Sequence, residues 1–60
     1  METKIKNAIK KHGKQNCIDA YKKADAGDGS RTIAYDYEVT TRQCDAMINA
    51  GRFIITGIIY

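Results

Sequence analysis

EVTTRQCDAMINAGRF, residues 38–53, is the stretch from which the rest of the chain can be read. Cys44, Met47 and Ile48 fall on one helical stripe, and Arg42, Asp45, Ala46 and Asn49 fall on the opposite face. Thr40 or Thr41 can serve as the N-cap, and Gly51 suits the position just past a helix end. These signals predict a helix over residues 41–50. Val39 precedes the cap and can pack back on the first turn as a hydrophobic staple.

Downstream, RFIITGIIY (52–60) is rich in β-branched and aromatic residues and reads as a C-terminal strand, bent at Gly57. Upstream, RTIAYDYE (31–38) alternates Ile33, Tyr35 and Tyr37 with Thr32, Ala34 and Asp36. That period of two argues for a strand. A short helix, grouping Ile33, Ala34 and Tyr37, also fits. DAGDGS (25–30) is a loop by composition. Before it, residues 14–24 show helical spacing with Cys17, Ile18, Tyr21 and Ala24 inward. Residues 3–12 do the same with Ile5, Ala8, Ile9 and His12. Gly13 separates two helices whose stripes do not register across it. The expected fold is α+β: two N-terminal helices, a middle strand or short helix, the 41–50 helix and a C-terminal strand.

Sixty residues make one domain, 1–60, and a chain this short buries only about 60% of its unfolded surface. Such a domain needs support from a bridge, a metal, a partner or unusually good packing. The N-terminal segment METKIKNAIKKHGK is charged throughout and does not read as a signal peptide, so the expected compartment is the cytoplasm. Cys17 and Cys44 are then expected as reduced core residues. His12 is the only histidine and there is no Cys-x-x-Cys, so no metal or other cofactor is expected. Asp25, Asp28 and Asp36 lack the alternate spacing of a calcium loop. The expected support is a second copy, paired through the apolar C-terminal segment: Phe53, Ile55, Ile58 and Tyr60.

The net charge is +3. Lys4, Lys6, Lys10, Lys11, Lys14, Lys22 and Lys23 lie in the first 23 residues, and only Arg31, Arg42 and Arg52 follow. A basic N-terminal half suits a nucleic-acid partner, and it also suits an ordinary solvated lysine face. Catalytic signatures are missing. His12 lies on the apolar stripe, Cys44 lacks a local activating base, and GDGS is a turn rather than a phosphate loop. The chain is not expected to be an enzyme.

Two segments, IKNAIKKHGKQNCIDAY (5–21) and VTTRQCDAMINAGRFI (39–54), resemble the small helix-turn-helix repressors of temperate phages, the Cro type. Residues 5–21 resemble that family's first helix, Gly-containing turn and second helix. Residues 39–54 resemble its recognition helix running into a strand. The chain departs from the pattern in residues 22–38, which intervene. Either they are an insertion carrying an extra strand, or the helix that precedes the turn is Ser30–Tyr37. In the latter case Ala34, Val39, Thr40, Cys44 and Met47 take the usual small, apolar, hydroxyl, apolar and apolar slots. Glu38 then stands where Gly is usual, at a position that often needs φ > 0.

The resemblance implies a sequence-specific, double-stranded DNA-binding transcriptional regulator of phage or mobile-element type, acting as a homodimer without a membrane association. Thr40, Thr41, Arg42 and Gln43 lie at the start of the reading helix, where Arg can pair with guanine and Gln with adenine. Asn49 follows on the Arg42 side, Lys14 and Arg52 suit phosphates, and Gln15 beside Lys14 is a further candidate DNA contact. Asp45 stands on the outward face and repels phosphate unless it accepts from a cytosine amino group. The alternative is a small protein-binding inhibitor or adaptor that adds its C-terminal strand to a partner, with Tyr35, Tyr37 and Tyr60 as anchors.

Overall fold

The computed structural model describes residues 2–57. It contains four helices, α1 (Glu2–His12), α2 (Lys14–Asp25), α3 (Ser30–Tyr37) and α4 (Thr41–Thr56), and no strand among the described residues. The α+β expectation is therefore overturned in favour of an all-helical fold.

The first two helices follow the sequence reading closely. Gly13 is the whole connection between them. Its N–H donates to the Ile9 carbonyl at 2.8 Å, and its own carbonyl accepts from Cys17 N–H at 3.2 Å. It closes one helix and opens the next at φ 91°, ψ 145°, a conformation that residues with a side chain rarely adopt. Loop 26–29 then carries the chain from α2 to α3.

Residues 31–38 are where the period of two misleads. Ile33 and Ala34 are buried and Tyr37 is half-buried, the i, i+1, i+4 spacing of a helix face. Tyr35, which the strand reading placed beside Ile33, is 84% exposed. With no other strand among the described residues, an extended 31–38 would leave its backbone polar groups unpaired; a helix satisfies them internally.

The C-terminal correction has a similar cause. Helix α4 does not stop near residue 50. It runs sixteen residues to Thr56 and ends at Gly57, whose φ of 74° is left-handed and whose N–H donates to the Phe53 carbonyl at 2.8 Å. Phe53 and Ile54 pack against the core as helical residues, and that burial outweighs the β-propensity of FIIT. Gly51 is not a stop. It is buried mid-helix where α4 crosses α2, and a side chain there would run into the Cys17 carbonyl.

Helix α4 is the spine. It packs against each of the other three helices, most extensively against α2. The core is made of Ile5 and Ala8 from α1, Cys17 and Ala20 from α2, Ile33 and Ala34 from α3, and Cys44, Met47, Ile48 and Ala50 from α4. Four of these are alanines, so the helices approach closely and the buried volume is small. Ile33 and Met47 are the largest fully buried side chains, each contributing about 1.5–3 kcal/mol by burial. Cys17 and Cys44 are free and buried, and Cys17 Sγ lies 3.7 Å from the Ala8 carbonyl oxygen. No helix among the described residues is long and apolar enough to cross a membrane.

Candidate nucleic-acid interface

The α3–α4 junction is built from three residues, 38–40, each with a separate backbone task. Glu38 is left-handed, φ 56°, ψ 43°, and is the only non-glycine residue with positive φ among those described. Its N–H donates to the Tyr35 carbonyl at 3.2 Å, and Val39 N–H donates to the Ala34 carbonyl at 3.0 Å. Together these form a Schellman closure, with Val39 half-buried against the core. Thr40 then caps α4. Gln43 N–H donates to Thr40 Oγ1 and Thr40 N–H donates to Gln43 Oε1, both at 3.1 Å, completing a capping box. The chain thus leaves one helix and enters the next within three residues. Ile33, Ala34, Cys44 and Met47 are buried beneath the junction.

This geometry exposes the first turn of α4. Thr41, Arg42 and Asp45 are exposed, whereas Cys44, Met47 and Ile48 face inward. Asp45 Oδ1 accepts a 3.0 Å hydrogen bond from Ser30 Oγ at the start of α3, so α3 flanks one side of the exposed face. On the other side lies α1. A shallow groove of about 280 Å³ separates α1 from α4, with Lys4, Asn7, Lys11 and His12 on one wall and Arg42 and Gln43 on the other. Arg42 therefore stands at the lip of the groove and on the outward face at once.

The residues singled out in the sequence do not all converge. Thr40, Thr41, Arg42 and Gln43 share one turn, but Gln43 is half-buried with its Oε1 engaged by Thr40, so it is not poised for the two-point contact that adenine requires. Asn49 is half-buried two turns on. Arg52 is further still, roughly 15 Å along the helix from Arg42 at 1.5 Å per residue. Its guanidinium lies 5.7 Å from the Tyr21 ring centroid. Lys14 is exposed at the start of α2, and Gln15 Nε2 donates to Asp19 Oδ1 at 3.0 Å. Of the expected dimer residues, Phe53 is half-buried and Ile55 is 47% exposed, while Ile58 and Tyr60 lie outside the described residues.

Sequence reasoning missed the α1 wall. Lys4, Asn7 and Lys11 repeat at i, i+3, i+7, which places them on one side of α1. That spacing could have identified them had α1 been known to lie beside the start of α4.

The junction is also braced from α2. Lys23 Nζ lies 3.5 Å from Asp36 Oδ2 and 5.1 Å from the Tyr37 ring centroid. Both ion-pair partners are more than a third exposed, so the pair contributes at most about 1 kcal/mol. Burial pushes the Tyr37 hydroxyl pKa up, against the pull of the Lys23 charge. Burial likewise raises the Cys17 and Cys44 thiols, and Asp45 adds to the rise at Cys44. Neither thiol is set up as a nucleophile. Among the described residues no group of three or more His, Cys, Asp or Glu side chains could hold a metal. No family model, curated protein or solved structure matches the chain.

Proposed function

We propose that this chain is a sequence-specific DNA-binding regulator of the kind that phages and mobile elements use, reading the major groove with the first turns of α4. The observation that carries the reading is the α3–α4 junction. Two helices meet through a three-residue turn with a left-handed first residue and a hydroxyl cap, and the next turn stands exposed with Thr41, Arg42 and Asp45 outward. A reading helix needs this: an N-terminal end free of the core, carrying short or forked polar groups. The lysines of α1 beside it supply the positive field that phosphate contact requires. Such a protein acts where duplex DNA is, in the cytoplasm of a bacterial host, and it needs no cofactor.

A 60-residue monomer offers few phosphate contacts, and pairing two copies on a two-fold site would multiply them. The end of α4 suits that role. Ile55 continues the stripe of Cys44, Ile48 and Gly51 past the core and is exposed. The pairing we propose is helix to helix through Phe53 and Ile55, because residues 53–56 are helical where a strand was expected.

A second reading, a small protein-binding adaptor, is favoured by Tyr35, which is 84% exposed on α3 where an anchor would stand. A gel shift against random duplex DNA at two salt concentrations separates the two. A DNA reader binds at low salt and loses affinity steeply as salt rises. An adaptor shows no retarded band at either concentration.

A further inference from the structure

We infer that the groove between α1 and α4 is a phosphate seat that holds one strand of the duplex beside the reading helix. Six side chains that line it, Lys4, Asn7, Lys11, His12, Arg42 and Gln43, carry N–H donors, and no carboxylate lines it among the described residues. The donors are also turned to one use. Because Gln43 Oε1 accepts from Thr40 N–H, the group Gln43 has left to offer is its NH₂. The floor is made by Ala8 and Ala46, whose short side chains leave about 280 Å³ above them. A cationic rim, amide donors and a small apolar floor match a phosphate and the sugar edge attached to it.

The DNA reading supplies the identity of the phosphate donor; the phosphate site itself stands on the groove alone. The two are therefore tested in separate arms. In the first, ¹⁵N-labelled protein is titrated with inorganic phosphate at constant ionic strength, and the side-chain amides of Asn7 and Gln43 are followed. Saturable shifts at both are expected. The double variant K4Q/K11Q should lose them, and K6Q/K10Q, which changes exposed lysines on the same helix away from the groove, should keep them. Absence of localised shifts, or equal loss in both double variants, overturns the inference. In the second arm, binding to a random duplex is measured against salt. K4Q/K11Q should flatten the slope of log K against log salt by about two units while leaving the ranking of duplex sequences unchanged. A slope equal to that of K6Q/K10Q overturns the assignment to the DNA backbone. Should the unmodified chain bind no duplex while the phosphate shifts appear, the DNA reading fails and the groove stands as a site for a free phosphate-bearing molecule.

Discussion

Gly51→Ala should destabilise the protein markedly, although alanine is the better helix former. An alanine Cβ at this position would lie 2.7 Å from the Cys17 carbonyl carbon and 2.7 Å from Tyr21 Cβ, and closer still to the Cys17 carbonyl oxygen. Carbon atoms in ordinary contact sit near 3.5–4.0 Å, so α2 and α4 must part by roughly an ångström at their crossing. Two of the three clashing atoms belong to backbone and cannot swing aside. Overpacking of this kind costs about 3 kcal/mol, the upper end of the usual range. The helix propensity of alanine returns about 1 kcal/mol. The net loss of about 2 kcal/mol is a large part of the 3–9 kcal/mol that roughly 0.05–0.15 kcal/mol per residue allows a chain of this length. Urea denaturation followed by circular dichroism reads it directly. With a slope of about 1 kcal/mol per molar for so small a domain, the midpoint should fall by about 2 M. A midpoint equal to or above that of the unmodified chain would mean that α2 and α4 do not cross at Gly51.

Glu38→Gly should stabilise by about 0.5–1 kcal/mol, because glycine takes the left-handed turn without the side-chain penalty of about 1–2 kcal/mol and returns only part of that as chain entropy; a lowered urea midpoint would contradict the turn geometry. Arg42→Ala should cost about 1–3 kcal/mol at a cognate duplex and relax sequence preference, measured by competition among duplexes. Asp45→Asn can keep the Ser30 hydrogen bond while removing a charge that repels phosphate, so non-specific duplex binding should tighten severalfold; unchanged affinity would place Asp45 away from the DNA. Both thiols are held protonated in the folded state by burial, so the folded chain keeps its protons where the unfolded chain loses them. Stability should hold below the ordinary thiol value of 9.0 and fall as pH rises from there through the raised folded values, a loss that Cys17→Ala and Cys44→Ala should lessen in urea titrations between pH 8 and 10.

Parts of this fold are legible from the residues and parts are not, for identifiable reasons. The break at Gly13 and the start of α4 at one of two threonines are local events, set by a residue that tolerates φ 91° and by a hydroxyl cap, with Gln43 three positions on deciding for Thr40 over Thr41. Local chemistry of that sort can be read directly. Residues 31–38 are too short for period to decide, since Ile33 and Tyr37 satisfy both a helix and a strand, and only the burial of Ala34 and the exposure of Tyr35 separate them. The end of α4 is decided at a distance. FIIT has strand propensity, and Gly51 resembles a helix stop. What keeps the segment helical is contact with the core and the close passage of α2 at Cys17, neither of which is local in sequence. The interface shows the same division. Thr41 and Arg42 follow from the cap, whereas Lys4, Asn7 and Lys11 join them only because α1 folds back beside α4.

The most direct test of DNA reading by α4 is ¹⁵N chemical-shift mapping of the chain with a short random duplex, repeated at low and at raised salt. The backbone amides of Thr41, Arg42 and Asp45 and that of Ser30 beside them should shift most, with smaller changes along the Lys4 and Lys11 side of α1, and all should shrink as salt is raised. Shifts absent at low salt, or centred on Tyr35 and the outer side of α3, would contradict DNA reading by α4.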